Sequence, residues 1–263
     1  MNIFLGINGI FFNLLFLLII IHYFPKTVSF LLTGFVIRVF FLVSSNLGLI
    51  LPDSTNDMVY YESTAWIFAQ NGFNQILYNF PGFNKDFLSW ILSILYLVTD
   101  RSIMLAQSAS LFFGMGTIFL SYLATTKLWS DHAGVKVGWI VSLFPTQILY
   151  SILILREPYI CFFLILGVYF FIIFLKEGKN IFLIFFLISI SITAIFHGAM
   201  IFGAFAIMIF VIFKSLNYFS MSLLRKKLNY VSFFYILFGT LLIVLFFNSG
   251  EQGPNTRQLY IFD

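Results

Sequence analysis

Long apolar runs recur along the sequence at the length that a lipid bilayer requires. A helix that crosses the hydrocarbon core needs ~20 mostly apolar residues. The pattern predicts an all-α, polytopic transmembrane helix bundle of about eight spans, forming one integral membrane domain over residues 1–263. The candidate spans are Ile3–Tyr23, Val28–Leu51, Ser102–Thr126, Val137–Leu155, Pro158–Leu175, Ile181–Phe196, Ala199–Phe213 and Val231–Phe247.

Two apolar stretches are too long for single spans, and a polar group divides each of them. As a straight helix, Val137–Leu175 would be about 58 Å long, against a hydrocarbon core of ~30 Å. Arg156-Glu157-Pro158 lies in its middle, and proline favours the first turn of a new helix. The second stretch, Ile181–Phe213, is divided at His197-Gly198. Each stretch is therefore predicted to form two spans.

One long polar segment, residues 52–101, separates the second span from the third. A helix is predicted to run from about Pro52 to Gln70. The apolar stretch Phe87–Val98 follows, and as a helix it is only about 18 Å long. Because this is too short to cross the bilayer, we expect it to lie in the interface or to re-enter. The segment is predicted to be a partly helical loop.

Charge distinguishes the two ends of the bundle. Alternating the spans across the membrane places nine of the fourteen basic residues at one end, which is cytoplasmic by the positive-inside rule. The other end, which includes residues 52–101, receives eight of the ten acidic residues and is predicted to be extracytoplasmic. The nine basic residues are Lys26, Lys127, Lys136, Lys176, Lys179, Lys214, Arg225, Lys226 and Lys227.

Composition favours a membrane bundle over a soluble domain. Charged residues make up 9% of the chain and hydrophobic residues 61%, whereas soluble domains carry roughly 25% charged residues. The net charge of +4 comes mostly from short loops, so no nucleic-acid partner is predicted. The single cysteine, Cys161, excludes a disulfide within the chain.

Two acidic residues, Asp53 and Asp57, stand where the second span leaves the membrane. Ser54 followed by Asp57 is similar to a capping box, and acids suit a helix N-terminus, so both have a structural explanation. Carboxylates at a membrane rim can also serve as a general base for an acceptor hydroxyl or ligate a divalent cation. Tyr61, one helical turn after Asp57, and Trp66 are either platforms for a sugar or part of the interfacial aromatic belt.

Two motifs stand out at the predicted extracytoplasmic end. They are Asp57-x3-Tyr61-x3-Ala65, which opens the large loop directly after a span, and the stretch from Phe144-Pro145 to Arg156-Glu157. Both resemble the GT-C glycosyltransferases, which include the protein mannosyltransferases and the aminoarabinose transferases of lipid A. The first motif is similar to the element that carries the catalytic aspartate in that superfamily, and the second resembles a segment of bacterial membrane glycosyltransferases of this kind. The resemblance covers roughly residues 28 to 175.

The resemblance implies sugar transfer from a polyprenyl-phosphate-linked donor to a glycan or lipid-linked acceptor. The reaction would occur at the outer face of the bacterial cytoplasmic membrane, in surface polysaccharide biosynthesis, with other assembly proteins as further partners. Arginine suits bidentate contacts with the donor phosphate. The implied site comprises the catalytic Asp57 and Asp53, the phosphate-binding Arg156, Arg101, Lys85 and Arg38, and the substrate-binding Tyr61, Trp66, Glu157 and His197.

Arg38 lies ten residues into the second span, about 15 Å deep. A charge at that depth is costly and therefore suggests a function. Arg38 could bind a lipid phosphate or pair with an acid from the outer loop. Alternatively, it makes structural hydrogen bonds to helix carbonyls or extends towards the cytoplasmic edge.

Two other functions stay open at this stage. A polymerase that joins lipid-linked repeat units of O-antigen or capsule would share the topology and the donor, and would depend more on outer arginines than on Asp57. A non-enzymatic transporter or flippase would show inverted repeats, which the sequence lacks. No G-x-x-x-x-G-K-[ST] motif occurs, and no second histidine lies at ligand spacing from His197, so no histidine-based metal site is predicted.

Overall fold

The computed structural model describes residues 3–78, 80–82 and 85–197. The chain divides into two compact units, Met1–Ile201 and Phe202–Asp263, and all the described residues belong to the first. Every regular element within the described ranges is a helix and none is a strand, so the all-α prediction is confirmed there. The predicted spans Ala199–Phe213 and Val231–Phe247 lie outside the described residues, and a single domain over the whole chain stays a prediction.

Ten α-helices follow one another in the described residues, with a 3-10 turn at Pro25–Thr27 before the second. They are α1 (Ile3–Tyr23), α2 (Val28–Asn46), α3 (Asp57–Gln70), α4 (Phe73–Tyr78), α5 (Phe87–Thr99), α6 (Ile103–Leu128), α7 (Asp131–Leu143), α8 (Pro145–Tyr150), α9 (Glu157–Glu177) and α10 (Asn180–Phe196).

Four of these helices, α1, α2 with its preceding turn, α6 and α9, are long and apolar enough to cross a membrane. α10, with 17 residues, and α5, with 13, are apolar but shorter. The described residues therefore contain four candidate spans. The predicted count of about eight is not established by them.

The central helix of this unit is α6, which buries residues along its whole length and contacts α1, α7 and α9. Small residues permit close approach: a Cβ atom added to Gly9 of α1 would overlap the side chain of Ser108. Nδ2 of Asn13 then donates to the Gly9 carbonyl at 2.8 Å and to the Ser108 carbonyl at 3.0 Å. Glycine contacts and interhelical hydrogen bonds are how helices associate in lipid.

The predicted span Val137–Leu155 is not one continuous helix, as the apolar run had suggested. α7 ends at Leu143, Phe144 is extended (φ −66°, ψ 118°), and the short α8 starts at Pro145. Proline has no N–H to continue a helix and disfavours helical geometry at the residue before it. Residues 151–156 then run without a helix, and residues 151–155 are buried. Non-helical backbone at membrane depth is tolerated where protein surrounds it.

The second predicted span, Val28–Leu51, ends early, at Asn46. Gly48 adopts φ 108°, its N–H donates to the Ser45 carbonyl, and the N–H of Leu49 donates to the Ser44 carbonyl. This is the Schellman arrangement that terminates many helices, and it requires a residue with positive φ. The chain therefore leaves the bundle a turn earlier than predicted.

Residues 52–101 form α3, α4 and α5, which pack on one another. Oγ of Ser89 on α5 donates to the Tyr61 carbonyl on α3 at 3.0 Å. Nε1 of Trp90 on α5 donates to the Ile76 carbonyl on α4 at 2.9 Å. The helices predicted to end at Gln70 and to cover Phe87–Val98 are both present.

The helix predicted to start near Pro52 starts later, because residues 51–54 form a tight turn. The Ser54 N–H donates to the Leu51 carbonyl at 3.2 Å, with Pro52 second in the turn and Asp53 third at φ 61°, a combination typical of type II turns. Oγ of Ser54 donates a hydrogen bond to the Leu51 carbonyl, and no side chain caps the N-terminus of α3. The predicted capping-box start of α3 is therefore wrong.

Candidate functional site

Tyr61 and Arg156 bring two distant parts of the chain together at the end of the bundle that carries residues 52–101. Asp57 is the exposed first residue of α3, and Tyr61, one turn later, is 4% exposed. Cζ of Arg156, directly before α9, lies 5.6 Å from the centroid of the Tyr61 ring, within the range of a cation–π interaction. The two motifs that carry the family resemblance therefore meet in space.

The Tyr61 hydroxyl is influenced by three ionic side chains. Burial raises the pKa of Tyr61, Arg156 opposes that rise, and Asp57 and Glu157 add to it. These charges come from the start of α3 and the start of α9. The Tyr61 hydroxyl is therefore neutral at physiological pH.

Arg156 is half-buried and forms no ion pair with the acids of the described residues. Its Nη1 donates a long hydrogen bond, 3.5 Å, to the carbonyl of Phe196, the last residue of α10. The exposed His197 follows directly, so the ends of α3, α9 and α10 converge on this guanidinium. An arginine with one face on an aromatic ring and N–H groups without carboxylate partners is suited to bind an anion.

An aromatic cluster lies beneath this group of charges. The Tyr159 ring stacks on Phe196 with centroids 5.3 Å apart, and its other neighbour, Phe113 of α6, is at 4.6 Å. Phe87 of α5 contacts Phe196 at 5.5 Å. Aromatic side chains of α5, α6, α9 and α10 therefore pack against one side of the polar site. Packing of this kind restricts the movement of the polar side chains.

Arg101 is engaged by a carboxylate that sequence reasoning did not place in the site. Its Nε donates to Oε1 of Glu62 at 2.9 Å and its Nη2 to Oε2 at 2.7 Å, while the Tyr96 hydroxyl donates to Oε1 at 3.2 Å. Glu62 is 4% exposed, whereas the Arg101 side chain is 42% exposed. A bidentate pair with a buried carboxylate ties α3 to the start of α6. The guanidinium edge formed by Nε and Nη2 of Arg101 is therefore occupied by Glu62 and is not free to bind a phosphate.

Trp66, predicted as a sugar platform, packs within the same cluster. The Arg101 guanidinium lies 5.6 Å from its ring centroid, and the Tyr96 ring contacts it edge-on at 6.3 Å. A sugar would have to compete with Arg101 for the face of this ring. Trp66 is half-buried, so its position favours packing around the Glu62 pair.

Lys85 lies in a third polar group, on the exposed side of α3. The Tyr60 hydroxyl donates to Oδ1 of Asp86 at 2.6 Å, and Nζ of Lys85 lies 4.8 Å from the Tyr60 ring centroid. Burial and the hydrogen bond to Asp86 raise the pKa of Tyr60, whereas a hydrogen bond with Lys85 lowers it. This group connects the first turn of α3 to the turn before α5.

Arg38 is fully buried, and its hydrogen bonds are structural. Nε donates to Oγ of Ser151 at 2.8 Å, and Nη1 donates to the carbonyls of Ser142 at 2.9 Å and Gly34 at 3.0 Å. Of the alternatives for this residue, the geometry favours hydrogen bonding to helix carbonyls. No part of the guanidinium is open to a ligand from outside.

Comparison with protein-family models, curated proteins and solved structures gave no match. The GT-C resemblance therefore depends on the two motifs and remains a prediction. The contact between Tyr61 and Arg156 is independent of it, since the contact is a property of this chain's own geometry.

Asp53 is exposed and adopts a positive φ in the turn that precedes α3. In the part of the chain that the structure describes, no three His, Cys, Asp or Glu side chains group as a metal site. The divalent-cation alternative for Asp53 and Asp57 has no third ligand of those types within these residues. The role of Asp53 stays a prediction.

Glu62 could have been noticed in the sequence from its place on α3. Glu62, Ala65 and Ala69 follow one another at spacings of three and four, and all are buried. An acid on the small-residue face of a helix must find a partner, because an unpaired buried carboxylate is costly. The partner itself, 39 residues away, could not be read from spacing.

Proposed function

We propose that this chain is an integral membrane glycosyltransferase that transfers a sugar from a polyprenyl-phosphate-linked donor to an acceptor at the extracytoplasmic face of a bacterial cytoplasmic membrane. The observation that supports it is the contact between Tyr61 and Arg156. It brings a carboxylate-bearing helix start beside an arginine that pairs with no carboxylate of the described residues. A hydroxyl acceptor and a phosphate-linked sugar require that combination of base and cation.

The proposed reaction is a single displacement. The carboxylate of Asp57 accepts the proton of an acceptor hydroxyl, and the hydroxyl oxygen forms a bond to the anomeric carbon of the donor sugar. The bond between that carbon and the phosphate oxygen breaks, and the lipid phosphate leaves with the bonding electrons. Arg156 balances the charge on the leaving phosphate. Asp53 is the second candidate for the base.

The remaining predicted residues take smaller parts in this proposal. Tyr61 orients the guanidinium of Arg156 through its ring, and Glu157 and His197 flank the arginine along the chain. The contacts of Arg101 and Lys85 assign them to holding residues 52–101 together. Arg156 is therefore the main phosphate ligand of the proposal.

The donor and acceptor classes follow from where this site lies. Two of the helices that pack against it, α6 and α9, are apolar and long enough to cross a membrane, so a donor with a lipid chain can reach the site laterally. We propose a surface glycan or a lipid-linked sugar as acceptor, and other polysaccharide assembly proteins as partners. The inner-membrane location and the outward orientation follow from the positive-inside rule and belong to the proposal.

A polymerase of lipid-linked repeat units is the second candidate. Arg156, which pairs with no carboxylate in the part of the chain that the structure describes, favours it as much as the transferase, because both donors leave as a lipid phosphate. The two candidates differ in their use of Asp57, which is the base in the transferase and is dispensable in the polymerase.

The test is complementation of a deletion strain with Asp57→Asn and, separately, Arg156→Ala. The transferase predicts loss of surface glycan and accumulation of the lipid-linked sugar with both variants at normal protein level. Asp131→Asn is a matched control, because Asp131 also begins a helix but pairs with Lys26 elsewhere in the fold. Loss with Arg156→Ala alone would select the polymerase. Wild-type glycan with both variants would contradict both enzyme functions.

A further inference from the structure

Helix α7 packs on the bundle with one face, which consists of small residues. A Cβ atom added to Gly134 would overlap the side chain of Thr126 on α6, and one added to Gly138 would overlap the ring of Phe30 on α2. Oγ of Ser142 donates to the Phe30 carbonyl at 2.8 Å. Gly134, Gly138 and Ser142 follow one another every four positions and are all buried, so they define the inner face of α7.

The opposite side of α7, which we call its outer face, carries His132, Lys136, Ile140 and Leu143. At about 100° of rotation per residue, these positions lie opposite the inner face, and all four residues are exposed. Ile140 is 64% exposed and Leu143 is 46% exposed. The outer face is therefore polar in the first half of the helix and apolar in the second half.

α7 starts at the end of the bundle opposite residues 52–101 and runs inward beside α2. α6, with 26 residues, is about 39 Å long and separates the two ends. Asp131 at the start of α7 pairs with Lys26 before α2, whereas the Ser142 carbonyl near its end accepts from Arg38 within α2. Trp129, two residues before α7, is 72% exposed, and tryptophan is enriched where a membrane meets water. The outer face therefore runs from the headgroup level towards the hydrocarbon.

Lys136 carries a positive charge that the described residues leave uncompensated, since it forms no ion pair with any of them. The two acids that the structure describes at this end are already paired, Asp131 with Lys26 and Glu177 with Lys179. Lys136 lies about 7.5 Å into α7, and a charge that approaches hydrocarbon is costly. Its side chain extends towards the helix N-terminus, which is the headgroup level. The anion available at that level is the phosphate of a lipid.

We propose that the outer face of α7 binds an anionic phospholipid. Lys136 and His132 contact the phosphate, and Ile140 and Leu143 contact an acyl chain. A free phosphate ion would leave the apolar half of the face without a partner, and a zwitterionic lipid has no net charge to attract the lysine. This surface is separate from the candidate site at the other end of the bundle, and it stands whether or not the chain is a transferase.

The test uses the full chain reconstituted in vesicles of equal parts phosphatidylglycerol, which is anionic, and phosphatidylcholine, which is zwitterionic. A photoreactive group is placed on the acyl chain of one lipid or the other, and mass spectrometry locates the crosslinks. We expect crosslinks to residues 129–143 to be about fivefold more frequent from phosphatidylglycerol. Lys136→Gln should reduce them to the phosphatidylcholine level, whereas Lys136→Arg, which keeps the charge, should retain the preference.

The matched control is Lys179→Gln. Lys179 is also exposed at this end of the bundle, but it already pairs with Glu177. The lipid preference at residues 129–143 should therefore be unchanged in this variant at physiological ionic strength. Circular dichroism of each variant checks that the helices are retained.

Equal crosslinking by the two lipids on the wild type, or an unchanged preference with Lys136→Gln, would overturn the proposal. Equal losses with Lys136→Gln and Lys179→Gln would also overturn it, because the lipid would then respond to the total charge of this end. If added inorganic phosphate abolished the preference, the assignment of a phospholipid would be wrong. Crosslinks from phosphatidylglycerol that avoid residues 129–143 would mean that protein covers the outer face, which contradicts the proposal.

Discussion

Nε of Arg38 donates a 2.8 Å hydrogen bond to Oγ of Ser151, a residue 113 positions later in the chain. The same guanidinium donates to the carbonyl of Ser142 in the last turn of α7. The final carbonyls of a helix lack N–H partners and carry the negative end of the helix dipole. Arg38 therefore stabilises the break that Pro145 creates, and this explains a buried cation that has no carboxylate partner in the described residues.

Removing the Ser151 hydroxyl tests this account. Ser151→Ala leaves Nε of Arg38 buried without an acceptor, so we expect the free energy of unfolding to fall by about 1–3 kcal/mol. The control is Ser189→Ala: the Ser189 hydroxyl is also buried but bonds only to the Phe185 carbonyl of its own helix. Its removal should change stability by less than about 0.5 kcal/mol. Unfolding in detergent, followed by circular dichroism, gives both values, and equal losses would contradict the role of Arg38.

The Glu62–Arg101 pair should respond asymmetrically to loss of either partner. Arg101→Gln leaves a carboxylate that is 4% exposed without its cation, and we expect a loss of about 2 kcal/mol in the free energy of unfolding. Glu62→Gln leaves an arginine that reaches water, so its loss should be smaller, about 1 kcal/mol.

The exposed pair of Lys127 and Glu177 serves as the control, and Glu177→Gln should leave stability nearly unchanged because solvent screens that pair. The measurement is the same unfolding experiment at constant ionic strength. If Glu62→Gln proved more costly than Arg101→Gln, burial of the carboxylate would not be the dominant factor.

The helices were predictable where the signal is local. α1 occupies the predicted Ile3–Tyr23, and α9 starts at Glu157, one residue before the predicted Pro158, because apolar length and a proline in the first turn are sequence properties. The break at Phe144 also had a local signal in Pro145. The apolar run on both sides concealed it, since hydropathy does not register a missing backbone donor.

The site was predictable only in part, because it depends on contacts between distant residues. Asp57, Tyr61 and Arg156 were all named from motifs, and two of them touch. Arg101 was named without Glu62, since nothing in the sequence pairs residues that are 39 positions apart. Arg38 was singled out by its depth, but Ser142 and Ser151 became its partners only through the break between α7 and α9.

The aromatic ring of Tyr61, and not its hydroxyl, should hold Arg156. Tyr61→Phe keeps the ring and should retain most of the glycan made in the complementation strain, whereas Tyr61→Leu should lose it. A double-mutant cycle of Tyr61→Leu with Arg156→Met should give a coupling of about 0.5–1 kcal/mol in the free energy of unfolding. The control cycle combines Tyr61→Leu with Arg101→Gln, because the Arg101 guanidinium lies over the Trp66 ring instead of the Tyr61 ring. Equal coupling in both cycles would contradict a specific contact between Tyr61 and Arg156.

The proposed orientation is open to direct labelling, because Cys161 is the only native cysteine. With Cys161→Ser as background, a cysteine is introduced at Asn71 or at Lys176, which are both exposed. A membrane-impermeant maleimide should label Asn71→Cys in intact cells and label Lys176→Cys only after permeabilisation. Labelling of both sites in intact cells, or the reverse pattern, would contradict an extracytoplasmic position for residues 52–101.

Asp100 adopts φ 73° and ψ 169° where α5 ends, a region that essentially only glycine occupies without strain. Its Oδ1 accepts a hydrogen bond from the Arg101 N–H at 2.8 Å, which offsets part of the cost. Asp100→Gly relieves the strain but loses this bond, so we expect stability to rise by about 0.5–1 kcal/mol. Asp100→Ala keeps the strain and loses the bond, so stability should fall by about 1 kcal/mol. The measurement is the thermal unfolding of both variants. An alanine variant as stable as the glycine variant would mean that this backbone conformation carries no strain.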